Sequence, residues 1–433
     1  MDILSFDEQK KYHNSFKSRA NKQLGDFDID IDSYEIDGKL VEARGEKWAN
    51  KLTRKITISD EDQCLLFSGH NGSGKTTELL RVKQQLENAG YYVVLIDCED
   101  LLDLTNELYV EHILLTIVYE LIHKIEGEEG LCQNRLAKLF NWLNDTEATL
   151  TELKINTGFV NSIYAIKENK NIRQKVAEEI NASFSTFRNN IKNEITTLKA
   201  NLRKQAGFEN TKDIVVIYDS LERVRGTSAN WDAVRQSVEK LFIQDAQYLR
   251  LNLHIIYTVP PFLVFDVRDI DFLPTIRVRD KANAEPTGGV DILKQIVYKR
   301  MPQEKLELLL GEDCDNVLEN IILFCGGYTR DVLRIMQNCL VQETFPVPKE
   351  TLAKIKQKIT DDLKTVIPQE SYSLLQSIKK DKYINISEDH RQIIDKLFNL
   401  HVFHRYQNGE IWYDIHPGLR EDDFITQKLQ DTQ

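Results

Sequence analysis

The 433-residue chain lacks several features that would have directed its reading elsewhere. Its six cysteines (Cys64, Cys98, Cys132, Cys314, Cys325, Cys339) form no C-x-x-C pair, so neither a metal cluster nor a disulfide framework is expected. Several lie in apolar runs, as buried free thiols do. There is no cationic surplus. Lys and Arg number 56 against 68 Asp and Glu, a net charge of −12, which argues against broad, sequence-independent nucleic-acid binding. A local basic patch is left open by that count. No apolar run approaches the roughly 18 residues of a membrane span. The first residues, Met1 to Asp7, carry neither the basic region nor the apolar core of a leader. A cytoplasmic protein with no membrane partner is therefore expected. No internal repeat or low-complexity segment is present.

What is present is one complete phosphate-binding loop. Gly69, His70, Asn71, Gly72, Ser73, Gly74, Lys75 and Thr76 spell G-x-x-x-x-G-K-[ST], and Thr77 continues the run. Cys64-Leu65-Leu66-Phe67 reads as a buried strand entering it, and the residues from Thr77 to Leu86 read as a helix leaving it. The glycines let backbone N–H groups turn inward around phosphate oxygens, and the helix N-terminus adds positive potential there. Lys75 is expected to reach the β- and γ-phosphates of a nucleotide, and the Thr76 hydroxyl to hold Mg²⁺.

The length suggests two to three domains, and 41% hydrophobic residues suffice for ordinary cores. Residues 1–55 form an N-terminal extension too small for a core of its own, expected to pack on the nucleotide core near the base. Within it, 10–23 reads as an exposed helix, and Phe27-Asp28-Ile29-Asp30-Ile31-Asp32 alternates as an extended segment. The core is expected over 56–290. Tyr91-Tyr92-Val93-Val94-Leu95-Ile96-Asp97 reads as a buried parallel strand with a carboxylate at its end, followed by a helix over 109–125. A helical insertion is expected at about 126–210. There Val176, Ile180, Phe184, Phe187, Ile191, Ile195, Leu198 and Leu202 step by three and four, which one long amphipathic helix explains. Its apolar face serves either its own domain or a neighbouring subunit.

Further strands are expected at 213–219, 251–259 and, briefly, 275–278. A helical lid is expected over 291–345. From 350 to 433 helices lead to Val402-Phe403-His404-Arg405-Tyr406 and Ile411-Trp412-Tyr413-Asp414-Ile415 around Asn408-Gly409, a strong hairpin signal. Helices followed by one hairpin describe a winged-helix module. Its aromatic hairpin (Tyr406, Trp412, Tyr413) is expected to anchor a protein surface rather than read DNA.

Four residues outside the loop are candidates for chemistry. Asp219 ends the apolar run Ile214 to Tyr218, where a second Mg²⁺ contact belongs. Glu222, three residues on, is the candidate to orient or deprotonate an attacking water. Its structural alternative is a surface salt bridge with Arg223 or Arg225. Thr258 ends the next strand and either faces a γ-phosphate or bonds local backbone ahead of Pro260-Pro261. Arg330 opens a helix after Gly326-Gly327, where it either reports the γ-phosphate or pairs with Asp331.

In this order, the loop, Asp219-Ser220-Leu221-Glu222-Arg223, Thr258, the G-G-x-x-R-D segment and the terminal hairpin resemble AAA+ and STAND-type P-loop ATPases, over roughly residues 35–425. The resemblance implies an α/β fold with a parallel sheet, a helical lid and a C-terminal winged helix. It implies ATP and Mg²⁺ as ligands, Asp219 as the Walker B acid, and Thr258 and Arg330 as sensors. One departure matters. Most AAA+ chains place the catalytic Glu directly after the Walker B Asp, whereas here that position is Ser220 and the acid is Glu222. This resembles the D-x-x-[DE] spacing of STAND and KAP branches and leaves the hydrolysis rate open. The trans-acting arginine is unassigned among Arg223, Arg225, Arg268, Arg277 and Arg279. The flanks S-G-H-N-G-S-G-K-T-T-E-L-L-R and D-I-H-P-G-L-R resemble bacterial ATPases linked to anti-phage defence.

Three functions follow as expectations. The first is an oligomeric ATPase switch that scaffolds or activates a separate effector, since the chain carries no evident nuclease, deaminase or TIR-like module. The second is an initiator-like or clamp-loader-like DNA ATPase. Residues 350–433 carry 12 Lys and Arg against 14 Asp and Glu, which disfavours it. The third is a nucleotide-binding structural subunit with negligible turnover.

Overall fold

The structure, a computed structural model, describes residues 4–17, 33–36, 39–127, 163, 166–227, 229–282, 285–386 and 390–431. Through the first half of the chain run α1 (Phe6–Ser15), β1 (Ser33–Ile36), β2 (Lys39–Glu42), α2 (Trp48–Thr57), β3 (Cys64–Gly69), α3 (Lys75–Asn88), β4 (Tyr92–Asp97), α4 (Cys98–Leu101) and α5 (Val110–Glu126). Then come α6 (Lys170–Ala182), α7 (Phe184–Leu202), β5 (Ile214–Asp219), α8 (Trp231–Glu239), β6 (His254–Thr258) and β7 (Ile270–Leu273). The remainder is α9 (Gly289–Tyr298), α10 (Gln303–Leu310), α11 (Cys314–Phe324), α12 (Thr329–Leu340), α13 (Lys349–Lys364), α14 (Tyr372–Asp381), α15 (Arg391–Asn399), β8 (Phe403–Gln407), β9 (Ile411–Ile415), α16 (Pro417–Arg420) and α17 (Asp423–Asp431). The chain forms two compact units. The first holds Met1–Lys51, Gly69–Arg81 and Phe272–Gln433, and the second holds Leu52–Ser68 and Val82–Asp271.

The second unit is built on the parallel sheet, whose strand order is β4-β5-β6-β3-β7. All six residues of β5 are buried, as a central strand of Ile214-Val215-Val216-Ile217-Tyr218-Asp219 requires. β4 lies beside β5 in parallel register, Tyr92 opposite Ile214 and Asp97 opposite Asp219. β6 lies between β5 and β3 and runs parallel to both. Consequently Asp97, Asp219, Thr258 and Ser68 all come at the carboxyl edge, from which the chain continues into the phosphate loop. The sheet packs on α5, which is apolar nearly all round and ends at Gly127.

Two expectations are corrected here. The apolar stripe from Val176 to Leu202 is two helices, not one. Ser183 leaves helical geometry (φ −136°, ψ 36°), and α7 begins after it. Asn181 and Ser183 are weak helix formers that favour turns, which suits a break between them and Phe184. The stripe faces its own unit: Val176, Ile180, Phe187, Ile191, Ile195, Leu198 and Leu202 all join the core with α5 and β5. The other correction concerns 275–278, which forms no strand. The strand is β7, a few residues earlier. The remainder of the insertion, 128–162, and the alternating segment 27–32 lie outside the described residues.

The core of the first unit gathers Leu4, Tyr12 and Phe16 with apolar residues of α9, α10, α11 and α12. The Ser5–Glu8 capping box starts α1. Gln337 of α12 then donates to the His13 carbonyl at 3.2 Å, and Lys305 pairs with Glu8 at 2.7 Å. The C-terminal hairpin forms as the sequence predicts, with Gln407 opposite Ile411 and Gly409 at φ +90° in the turn. Its aromatic residues are not a docking surface, however. Tyr406, Trp412 and Tyr413 are buried, and the Tyr406 and Trp412 rings stack at 4.3 Å. The Tyr406 hydroxyl donates to the Gly326 carbonyl at 2.7 Å. The aromatic pair is therefore already covered within the first unit, where rings of this size bury a large apolar area. No helix among the described residues is long and apolar enough to cross a membrane.

Candidate functional site

In the first unit, the loop leaves the end of β3 and runs directly into α3, which begins at Lys75. The first-turn N–H groups of α3 have no intrahelical acceptor, which is the polarity a phosphate needs. Gly72 has φ +89°, and a Cβ built there would lie 2.5 Å from Nε and 2.7 Å from Cβ of Arg330. Only glycine fits both constraints. Lys75 is buried, and its ammonium donates to the carbonyls of Gly69 (2.8 Å) and His70 (3.0 Å). Both carbonyl contacts lie within the loop itself, so the ammonium is placed where an anion held by the loop would meet it.

The loop is held from two further sides within this unit. Arg44 is buried, donates to the Ser73 carbonyl at 2.5 Å and approaches the buried Glu78 at 3.7 Å. Arg81 anchors Glu78 at 2.8 Å. On the other side the Tyr328 hydroxyl donates to the Asn71 carbonyl, and Arg330, the second residue of α12, rests against Gly72. Among the described residues, the buried Nε of Arg330 and the Ser73 hydroxyl have no hydrogen-bond partner. Asp331 faces His416, whose Nε2 is 3.5 Å away.

His70 serves the loop only through its backbone. Its ring is fully buried, 3.1 Å by Nδ1 from Nδ1 of His401, and packs edge-on to Phe398 and Phe272. Burial holds His70 well below the usual histidine range, with His401, His404, Lys75 and Arg405 adding repulsion. Burial likewise brings His401 down to about 3.

In the second unit, the carboxyl edge of the sheet carries acids. Asp219 is buried, and its Oδ1 accepts from the Ser220 N–H at 2.8 Å. Ser220 is held at φ +72°, a left-handed conformation that a non-glycine residue adopts at a cost. That turn starts a short 3₁₀ segment, Leu221–Arg223, which carries Glu222. Glu222 is buried. Arg223 pairs with Glu99 at 2.5 Å. Burial works against the charge of Arg223, yet the Glu222 and Glu99 carboxylates raise it above its usual value. Thr258 is fully buried. Its hydroxyl accepts from the Leu221 N–H (3.1 Å) and lies 3.4 Å from the Tyr218 carbonyl, so it ties the Glu222 turn to β6.

The loop residues were legible in the sequence by spacing alone. Arg44, Asp97 and Glu99 belong to no motif in the sequence. Asp97 could have been found from the carboxylate ending its strand, since parallel register sets it beside Asp219. For Arg44 the sequence holds no signal. The residues fit Mg²⁺-nucleotide by donor type: backbone N–H, ammonium and guanidinium near the loop, carboxylates at the strand ends. A second acidic group, Asp62, Asp213 and His254, offers ligand atoms within 4.8 Å of one another. Lys199 already pairs with Asp213 at 2.7 Å there, and His254 Nδ1 accepts from the Gln63 N–H at 3.1 Å. This is an ion-pair cluster in which the lysine supplies the cation.

No protein-family model matches the chain, and no curated protein does. Among solved structures it is similar to one described as the crystal structure of Cdc6p from Pyrobaculum aerophilum. The identity is 10%, 89% of this chain and 93% of that chain are covered, and the TM-score is 0.32. At that TM-score the likeness carries no argument, and the fold rests on the sheet order and parallel register described above.

Proposed function

We propose that the chain is a Mg²⁺-dependent ATPase that works as an oligomerising switch of the AAA+/STAND type its sequence resembles. In this reading it scaffolds or activates a partner effector, with bacterial defence the setting its flanking motifs resemble. The N-terminal extension (1–55), core (56–290), lid (291–345) and winged-helix-like part (350–433) are its working divisions.

The observation that carries the reading is the contact of Tyr328 and Arg330 with the loop at Asn71 and Gly72. A phosphate bound in the loop meets Lys75, which exchanges its carbonyl partners for phosphate oxygens. The same phosphate gives Arg330 an anionic partner, so the position of α12 becomes sensitive to what the loop holds. A ligand shifts such an equilibrium only through differential contacts with the two states, and Arg330 is the group that would make them. Thr76 and Asp219 would hold Mg²⁺, which neutralises phosphate charge and orients the transferred group when bound. Glu222 accepts the proton of the attacking water, and Thr258 positions the turn that carries it.

Glu222→Gln should bind nucleotide as wild type does and release phosphate on the order of a hundredfold or more slowly. Phosphate release at the wild-type rate would place the base elsewhere. A wild type that binds but never releases phosphate would favour the third reading, a structural subunit. The DNA-binding alternative has less support, because Lys356, Lys364 and Lys382 are engaged internally, with Asn320, Asp422 and Asp414. Salt-sensitive duplex binding in a gel shift would revive it.

A further inference from the structure

Away from every residue assigned above, the second unit holds a partly open cavity of about 500 Å³ at the start of α5. That volume lies within the range that holds small organic ligands. Tyr109, Phe184 and Tyr248 line it, and the rings of Phe184 and Tyr248 meet edge to face at 4.7 Å. Lys240 and Leu241 reach it from a π-helical turn, Lys240–Gln244, that follows α8. Turns of this kind are rare and recur at functional sites.

The charge facing the cavity is negative. Glu107 is offset by Lys170 at 3.6 Å, and Arg188 covers the Tyr248 ring at 5.7 Å. What remains is Glu111 and Asp245 against Lys240. Glu111 is 2% exposed, and among the described residues no cation lies within ion-pair distance of it. A buried carboxylate with Asn181, its own N–H and only a more distant Lys240 to offset its charge is still costly to ionise. We propose that this cavity is a binding site for a small organic amine, its protonated nitrogen facing Glu111 and its apolar body lying against Tyr109, Phe184 and Tyr248. The ammonium adds a counter-charge in direct contact with Glu111, beyond that of Lys240, and the ring faces add cation–π attraction. An anion would meet two carboxylates, and a neutral apolar ligand would gain no charge attraction from Glu111.

Burial pushes Glu111 up to about 7, with Asp245 adding to it and the Glu111 N–H, Lys240 and Asn181 opposing. An ammonium binds the ionised form, so affinity should rise with pH through that value. Titration calorimetry of the full chain with benzylamine, which stays protonated throughout, tests this against benzyl alcohol. Benzylamine should bind saturably and about tenfold tighter at pH 8 than at pH 6, the change in ionised Glu111. Benzyl alcohol should bind at least tenfold more weakly. Glu111→Gln should lose most of the affinity and the pH dependence while keeping nucleotide affinity. Should that variant fail to fold, Asp245→Asn on the half-buried rim should weaken benzylamine at both pH values. Equal affinity for amine and alcohol, pH-independent binding, no saturable amine binding, or unchanged affinity in both variants would each overturn the proposal.

Discussion

Around the phosphate loop the working charge is positive and is delivered largely by backbone. The N–H groups of a helix start, one buried ammonium and two arginines converge on eight residues, three of them glycine. At the end of β5 the working charge is negative and is delivered by side chains. Asp219 and Asp97 are set side by side by strand register, and Glu222 is presented by a turn that a left-handed Ser220 makes. The first arrangement tolerates little change of shape, because a Cβ at Gly72 would overlap Arg330. The second tolerates little change of register, because a one-residue slip of β5 would turn Asp219 to the other face of the sheet. In the proposed function, binding would rest on the geometry of a loop and hydrolysis on the alignment of strands, so single substitutions should separate the two.

The largest effect is expected at Lys75. Lys75→Ala removes the ammonium that the loop supplies. It should cost about 3 kcal/mol of nucleotide binding, the upper range for a charge-assisted bond, or roughly a hundredfold in Kd. Fluorescence titration with a labelled ATP analogue measures it. Unchanged affinity would mean that the loop is a structural turn.

Arg330 sharpens the comparison, because it lies on α12 and not in the loop. Arg330→Ala should keep nucleotide affinity within about threefold, since one peripheral contact is lost. It should also abolish any growth in particle size that ATP causes in the wild type. Light scattering that shows equal ATP-induced growth in the mutant would remove Arg330 from the switch.

A smaller effect concerns acid. His401 has a folded pKa of about 3, below the ordinary 6.5 that it takes when unfolded, because burial excludes the charged ring. The unfolded chain therefore binds the extra proton first. This contribution is complete above pH 6.5 and is lost as pH falls from 6.5 toward 3, by up to about 1.4 kcal/mol per pH unit. His401→Gln should flatten the dependence of the urea midpoint on pH between 6.5 and 4.5. A slope identical to wild type would show that His401 titrates normally.

How much of this was legible beforehand follows from the same contrast. The loop is written in consecutive residues, so its glycines, Lys75 and Thr76 could be read directly. The central strands were equally plain, because Ile214 to Ile217 is an uninterrupted β-branched run. The break at Ser183 was hidden, since the apolar stripe continues in step through it and only local backbone preference marks it. The aromatic hairpin misled for a related reason: composition shows that Tyr406 and Trp412 are aromatic, not which side of the hairpin is covered. Arg44 and Glu99 act through contacts distant in sequence, 29 residues to Ser73 and 124 to Arg223, which no local pattern encodes.

The central claim is that the positive loop and the negative strand end serve one Mg²⁺-bound nucleotide. Binding of a labelled, non-hydrolysable ATP analogue to wild type and Asp219→Ala, each with and without Mg²⁺, tests it most directly. Wild type should tighten when Mg²⁺ is added, and Asp219→Ala should bind with the metal-free affinity in both conditions. Equal Mg²⁺ tightening in both proteins would contradict the account, because the two regions would then act independently.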